Sequence, residues 1–154
     1  MLKYSVKKEF YIDCAHRLLD DDGDCKNVHG HSYQIIISLC KYHFSDMILH
    51  FGDFKKFVNK ILSKFDHAFL INKNDPLCDY FKNNKIRIGI NKYQDFKLYK
   101  FNNDPTVECM ALEIFTLLTN EMTRYGSKWD FEDILLDSVE IFEGYGKSAK
   151  ITRK

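Results

Sequence analysis

Four side chains in the first fifth of the sequence have the types and spacing of a metal-dependent active site. In Cys25-Lys26-Asn27-Val28-His29-Gly30-His31 two histidines stand two residues apart. Residues 31 to about 41 read as a β-strand, because Ile35-Ile36-Ile37 and Leu39 suit a well-covered sheet segment. On an extended chain His29 and His31 leave the same face, and the glycine between them leaves the space open. His16 follows an earlier alternating run, and neighbouring strands lie about 5 Å apart, so it can meet the pair. Zn²⁺ accepts neutral imidazole nitrogens, and a catalytic site combines three protein ligands with one open position. The plainer alternative is that His31 packs in the core while His16 and His29 are surface groups.

Cys25 lies in a polar loop behind Asp20-Asp21-Asp22-Gly23-Asp24, unlike Cys40, which sits inside an apolar run. A thiol beside a dication is a candidate base or proton shuttle. Spacing equally allows Cys25 as a fourth ligand, which would close the site. Asp66-His67 is a second candidate acid–base pair, since a carboxylate can orient an imidazole and stabilise its protonated form. A pair that merely finishes a helix would look the same. Glu143 precedes Gly144-Tyr145-Gly146, and a carboxylate at a strand end can accept two hydrogen bonds from an amino-heterocycle. Gly146-Lys147-Ser148 superficially resembles a phosphate loop, but position 141 is Ile where the first glycine would stand, which excludes that reading. His43 and His50 have no comparable company.

The rest of the composition bounds the class. The 154 residues correspond to a single domain, 45% hydrophobic and 29% charged. A net charge of +1 with no long basic run argues against binding a nucleic-acid backbone. No apolar run reaches the length of a membrane span. Five cysteines without a CxxC pair, and no leader-like segment, imply reduced thiols in a cytoplasmic protein. Thirteen Phe and nine Tyr suggest more apolar surface than one protomer can cover, which favours a homo-oligomer.

The elements that must position these residues follow from periodicity. Tyr4 to Cys14 alternates, with a slip at Lys7-Lys8-Glu9 that predicts a bulge. Asp53 is placed to cap a helix whose stripe is Phe54, Phe57, Val58, Ile61, Leu62 and Phe65. Residues 72 to 104 are polar, with two alternating runs, 86–90 and 96–101, that predict an accessory hairpin. Asp104 and Pro105 open a second helix, which Tyr125-Gly126 closes. Leu135 to Phe142 and Lys147 to Thr152 complete the sheet. Two strands, two helices and two strands predict an α+β fold, an antiparallel sheet with both helices on one face.

These motifs occur together in one recognisable order. Phe10-x5-His16, Cys25-x3-His29-Gly30-His31, Phe51-Gly52-Asp53-Phe54-Lys55, Asp66-His67, Pro105-Thr106-x-Glu108 and Glu143-x5-Ala149 span nearly the whole chain. The chain resembles the 6-pyruvoyl- and 6-carboxy-tetrahydropterin synthase superfamily. That resemblance implies a tunnelling fold (ββααββ) whose sheets join into an oligomeric barrel, trimeric or hexameric, with interfacial active sites. It implies Zn²⁺ on His16, His29 and His31, Cys25 as catalytic thiol, and Asp66 with His67 as its proton-transfer partners. Glu143 then anchors the pterin, with Thr106 and Glu108 in a shared substrate-binding motif. The compact Cys-x3-His-Gly-His is similar to the carboxy synthases of queuosine biosynthesis. The implied reaction converts 7,8-dihydroneopterin triphosphate and water to 6-carboxy-5,6,7,8-tetrahydropterin, acetaldehyde and triphosphate. The alternatives are the pyruvoyl synthase, which eliminates triphosphate, and a non-catalytic, zinc-stabilised pterin-binding oligomer. Two departures stand out: His50 replaces an acid common in relatives, and the segment at about 80–101 is longer.

Overall fold

The computed structural model describes residues 2–43, 46–129, 131 and 133–154, without the side chains of 125–129. Its centre is a pair of 13-residue strands, β1 (Tyr4–His16) and β2 (His29–Lys41), paired antiparallel from Tyr4 opposite Lys41 to His16 opposite His29. The bulge expected at Lys7-Lys8-Glu9 is absent from this ladder. Lys8 takes the helix-facing phase and sets its ammonium over the Phe51 ring, 5.9 Å from the centroid. A long lysine stem can cover apolar surface, so the charge need not break the alternation. The one register shift in β2 falls instead between Ser38 and Leu39, against β7 (Leu135–Glu143). Gly144 (φ 66°) and Gly146 (φ 74°) make the tight return to β8 (Ser148–Thr152), a backbone that side chains disfavour.

The expected antiparallel sheet is this four-stranded unit, and two parallel strands extend it. The full order is β6-β3-β1-β2-β7-β8, with β3 (Phe69–Asn72) parallel to β1 and β6 (Leu98–Phe101) parallel to β3. The predicted accessory hairpin is corrected here. The first alternating run, β4 (Ile86–Gly89), pairs with β5 (Lys92–Gln94), while the second joins the main sheet as β6. A further helix, α2 (Leu77–Asn83), covers the outer β3–β6 edge through Cys78, Leu77 and Phe81.

Helices α1 (Phe51–Leu62) and α3 (Val107–Trp129) lie on one face of the sheet, as their stripes require. Phe54, Phe57, Val58, Ile61 and Leu62 of α1 are buried against Phe10, Ile12, Ile35 and Ile37. Each such side chain contributes about 1.5–3 kcal/mol by leaving water. The caps differ from expectation. His50 precedes α1 without a side-chain cap, and Asp53 falls within the first turn. Thr106, not Asp104, caps α3, accepting the Cys109 N–H at 3.3 Å, and the helix runs past Gly126 to Trp129. No helix among the described residues is long and apolar enough to cross a membrane.

One buried ion pair ties the site-bearing end of the sheet together. Arg17, directly after His16, forks onto Asp75 at 2.6 and 2.7 Å, and Asp75 also accepts the Leu77 N–H at the start of α2. Burial pushes the Asp75 carboxyl up, but the Arg17 guanidinium and the backbone N–H outweigh it and hold it below the usual carboxylate range. A depressed folded-state value means this stabilisation is present above the ordinary carboxylate range and is lost as pH falls through the depressed one. Asp75→Ala strands the Arg17 cation and is expected to cost about 3 kcal/mol, the low end for a buried pair because Arg17 is partly exposed. Urea denaturation at neutral pH checks this, and the difference should shrink in acid.

Candidate metal centre and active site

The alternation of two adjacent strands builds the site. His16, His29, His31 and Tyr33 occupy the same face as the core residues Ile12 and Ile35, at the end of the sheet beside the start of α3. His16 is 3% exposed, while His29 and His31 are half-buried. Ring centroids are 4.5 Å (His16–His29), 5.2 Å (His16–His31) and 5.0 Å (His29–His31) apart. One nitrogen from each ring lies within 4.8 Å of the other two. Gly30 serves a different purpose from the one its sequence position suggests. It faces away from the rings, and a Cβ there would stand 3.1 Å from the Cys14 carbonyl, so glycine is what lets β2 approach β1 between the histidines.

The hydrogen bonds assign the ring protons. His16 Nδ1 lies 2.9 Å from the Pro105 carbonyl and His29 Nδ1 2.7 Å from the Asn27 carbonyl. A carbonyl only accepts, so both Nδ1 atoms carry hydrogen, which leaves Nε2 as the nitrogen through which each ring can offer a lone pair. Those two Nε2 atoms face each other at 3.1 Å. Two lone pairs so placed repel unless a cation or proton lies between them. Two ligands on tetrahedral zinc are about 3.3 Å apart, given Zn–N distances of about 2.05 Å. The donor set therefore fits a zinc ion, with carbonyls fixing ring orientation as outer partners do in metal sites. Burial, opposed by the Pro105 hydrogen bond and reinforced by His29, pushes His16 below the usual imidazole value, which keeps it available as a neutral ligand.

Glu143 also reaches this cluster. It lies opposite Tyr33 in the β2–β7 ladder, and its Oε1 is 3.4 Å from His31 Nε2, 3.6 Å from His16 Nε2 and 3.1 Å from the Tyr33 hydroxyl. Cys25 is exposed, on the short 3₁₀ turn Asp24–Lys26. Cys25 and Glu143 line one cavity of about 510 Å³ with the three histidines, Thr106 and Glu108. Cys25 is outside the compact donor cluster. Cys14, Cys40 and Cys78 are buried, and burial pushes the Cys14 thiol up to about 12 and raises the other two. They stay protonated and unreactive.

Asp66 and His67 stand elsewhere. Asp66 Oδ2 meets His67 Nδ1 at 2.9 Å, and Asp66 Oδ1 accepts the Asp13 N–H at 3.0 Å. Burial raises the Asp66 carboxyl, but the Asp13 N–H and His67 outweigh it and hold it below its usual value. His67 sits at φ 55°, a conformation few side chains adopt, and its imidazole is exposed. His67 borders a cavity of about 830 Å³ on the other face of β1–β2, together with Asp13, Ser32 and Lys97, and His31 borders both this cavity and the one that Cys25 lines. Within one protomer, therefore, Cys25 and His67 do not share a cavity. Tyr33 escaped notice in the sequence, and Asp104 is expected there only as a helix cap. Tyr33 was legible as the next same-face residue after His31. Asp104 accepts from the Asn72 side chain and the Asp20 N–H, and so holds the loop bearing Pro105, which no local pattern announces.

The comparisons agree with this architecture. The family model described as 6-pyruvoyl tetrahydropterin synthase matches residues 5–154. A 6-carboxy-5,6,7,8-tetrahydropterin synthase of Haemophilus influenzae is 35% identical over 78 residues, 47% of this chain and 55% of that protein. The protein of the same name from Aquifex aeolicus is 24% identical over 142 residues, covering 81% of this chain and 85% of its own. A crystal structure of the uncharacterized protein WS1659 from Wolinella succinogenes superposes with a TM-score of 0.76 at 20% identity, covering both chains completely. That likeness is one of fold. With a family model spanning almost its whole length and a three-histidine centre at the expected positions, the chain belongs to the 6-pyruvoyl tetrahydropterin synthase family.

Proposed function

We propose that this protein is a zinc-dependent 6-carboxy-5,6,7,8-tetrahydropterin synthase, converting 7,8-dihydroneopterin triphosphate and water to the carboxy-pterin, acetaldehyde and triphosphate. The observation that carries the reading is that Cys25 lines the same cavity as the three-histidine cluster, with Glu143 beside the cluster. Relatives bearing the carboxy synthase name support this product over the pyruvoyl one. Bound zinc supplies Lewis-acid polarisation of substrate oxygens.

The chain's own residues do the rest. Glu143 accepts the amino and ring N–H groups of the pterin and fixes the ring in the cavity, with Thr106 and Glu108 at its wall. Cys25 takes or passes a proton at the substrate side chain. His67, held by Asp66, completes the transfer from the opposite side. Because His67 and Cys25 line different cavities of one protomer, a second copy of the chain must deliver the pair, and the site is interfacial. The sheet ends on β6 and β8, two edges through which copies can join into a trimeric barrel or a hexamer of two such rings.

Incubation of the purified protein with 7,8-dihydroneopterin triphosphate, with products identified by mass, tests the reading. Carboxy-pterin with acetaldehyde is expected. Pyruvoyl-pterin would transfer the protein to the other branch of the family, and pterin binding without turnover would make it a binding oligomer.

A further inference from the structure

We infer that Tyr33 is a positioning residue that aims the Glu143 carboxylate into the pterin pocket; the inference rests on the function proposed above. Tyr33 is fully buried beneath the histidine cluster, with its ring edge-on to His31 and His16 at 5.5 and 6.2 Å between centroids. Its hydroxyl lies 3.1 Å from Glu143 Oε1 and 3.5 Å from His16 Nε2. A hydroxyl donates one hydrogen, and an ionised carboxylate at the shorter distance is the stronger acceptor. The proton therefore goes to Glu143, which leaves the His16 lone pair for the metal.

The arrangement solves a specific problem. Glu143 is the last residue of β7, its backbone held opposite Tyr33 and by its N–H on the Lys147 carbonyl, but the three side-chain torsions beyond it are not set by that backbone. The His16 and His31 nitrogens near Oε1 cannot donate to it once they ligate a metal. Among the described residues in contact with Oε1, Tyr33 is then the one that still can. Its hydroxyl is a donor fixed by a fully buried ring, so the bond to Oε1 does not depend on a mobile side chain. Each carboxylate oxygen has two lone pairs, and holding one on Tyr33 orients the carboxylate plane while leaving acceptor sites for an amino-heterocycle.

Tyr33→Phe removes the hydroxyl and keeps the buried ring. The zinc-loaded variant is expected to bind neopterin, a 2-amino-4-oxopteridine, ten- to hundredfold more weakly by fluorescence titration, the range for a lost bond to a charged group. Its zinc content should equal that of the unaltered protein. In a Glu143→Gln background the same substitution should change neopterin affinity less than twofold, because there is no carboxylate left to aim; a purely structural role would leave its effect intact. Neopterin affinity unaffected by Tyr33→Phe, or an equal loss in both backgrounds, overturns the inference and leaves the proposed function standing. Failure of the unaltered zinc-loaded protein to bind neopterin overturns both.

Discussion

Protein carrying Cys25→Ala is expected to purify with its full complement of zinc and to turn over dihydroneopterin triphosphate about 10²–10⁴-fold more slowly, the range for a lost general acid or base. Two observations support the split. The three imidazoles form a complete donor set without sulfur, with outer hydrogen bonds to the Pro105 and Asn27 carbonyls orienting two of them. Cys25 projects from a separate 3₁₀ turn and is exposed, so its truncation leaves no buried cavity. Metal analysis beside single-turnover kinetics checks both halves. Loss of zinc with the thiol would instead make Cys25 a fourth structural ligand and remove the open position that the chemistry needs.

His16→Ala should have the opposite signature. It removes the most buried ligand and leaves two imidazoles in a half-exposed strand end, so zinc content and turnover are expected to fall together to background. Because a metal that binds only the folded chain stabilises it, zinc at 1,000 times its dissociation constant should add about 4 kcal/mol to the unaltered protein. That corresponds to a Tm roughly 10 °C above the chelator-treated sample. In His16→Ala this zinc-dependent increment should vanish. Comparing each protein with its own chelator-treated form separates metal loss from the packing defect of the truncation. An undiminished increment would place the metal somewhere other than these three histidines.

How much of this was legible beforehand differs element by element. The two helical stripes were readable because each α-helix meets one apolar layer, and the 3.6-residue period of Phe54 to Leu62 records it. The caps were not. Asp104 and Thr106 are both good N-cap residues two positions apart, and only the demand of Asn72 and the Asp20 N–H for an acceptor drew Asp104 away. The runs 86–90 and 96–101 both alternate, so a hairpin between them satisfied every local rule. The second run was taken by β3, a four-residue strand too short and too polar in its surroundings to announce itself.

The same division holds at the candidate site. Sequence alone determined the chemistry, since three imidazoles and a thiol at these spacings, with the period of two along a strand, put His29, His31 and Tyr33 on one face with no knowledge of what lies opposite. Tertiary structure decided the geometry. The pairing of His16 with His29 brings two lone pairs to 3.1 Å, and the pairing of Tyr33 with Glu143 brings a carboxylate from 110 residues away to the edge of the cluster. It also set His67 in a different cavity from Cys25, so that one protomer holds the two halves of the proposed site apart. Strand register and sheet face are properties of non-local pairing. Their energies come from the core that the whole chain buries, and no local window of residues contains them.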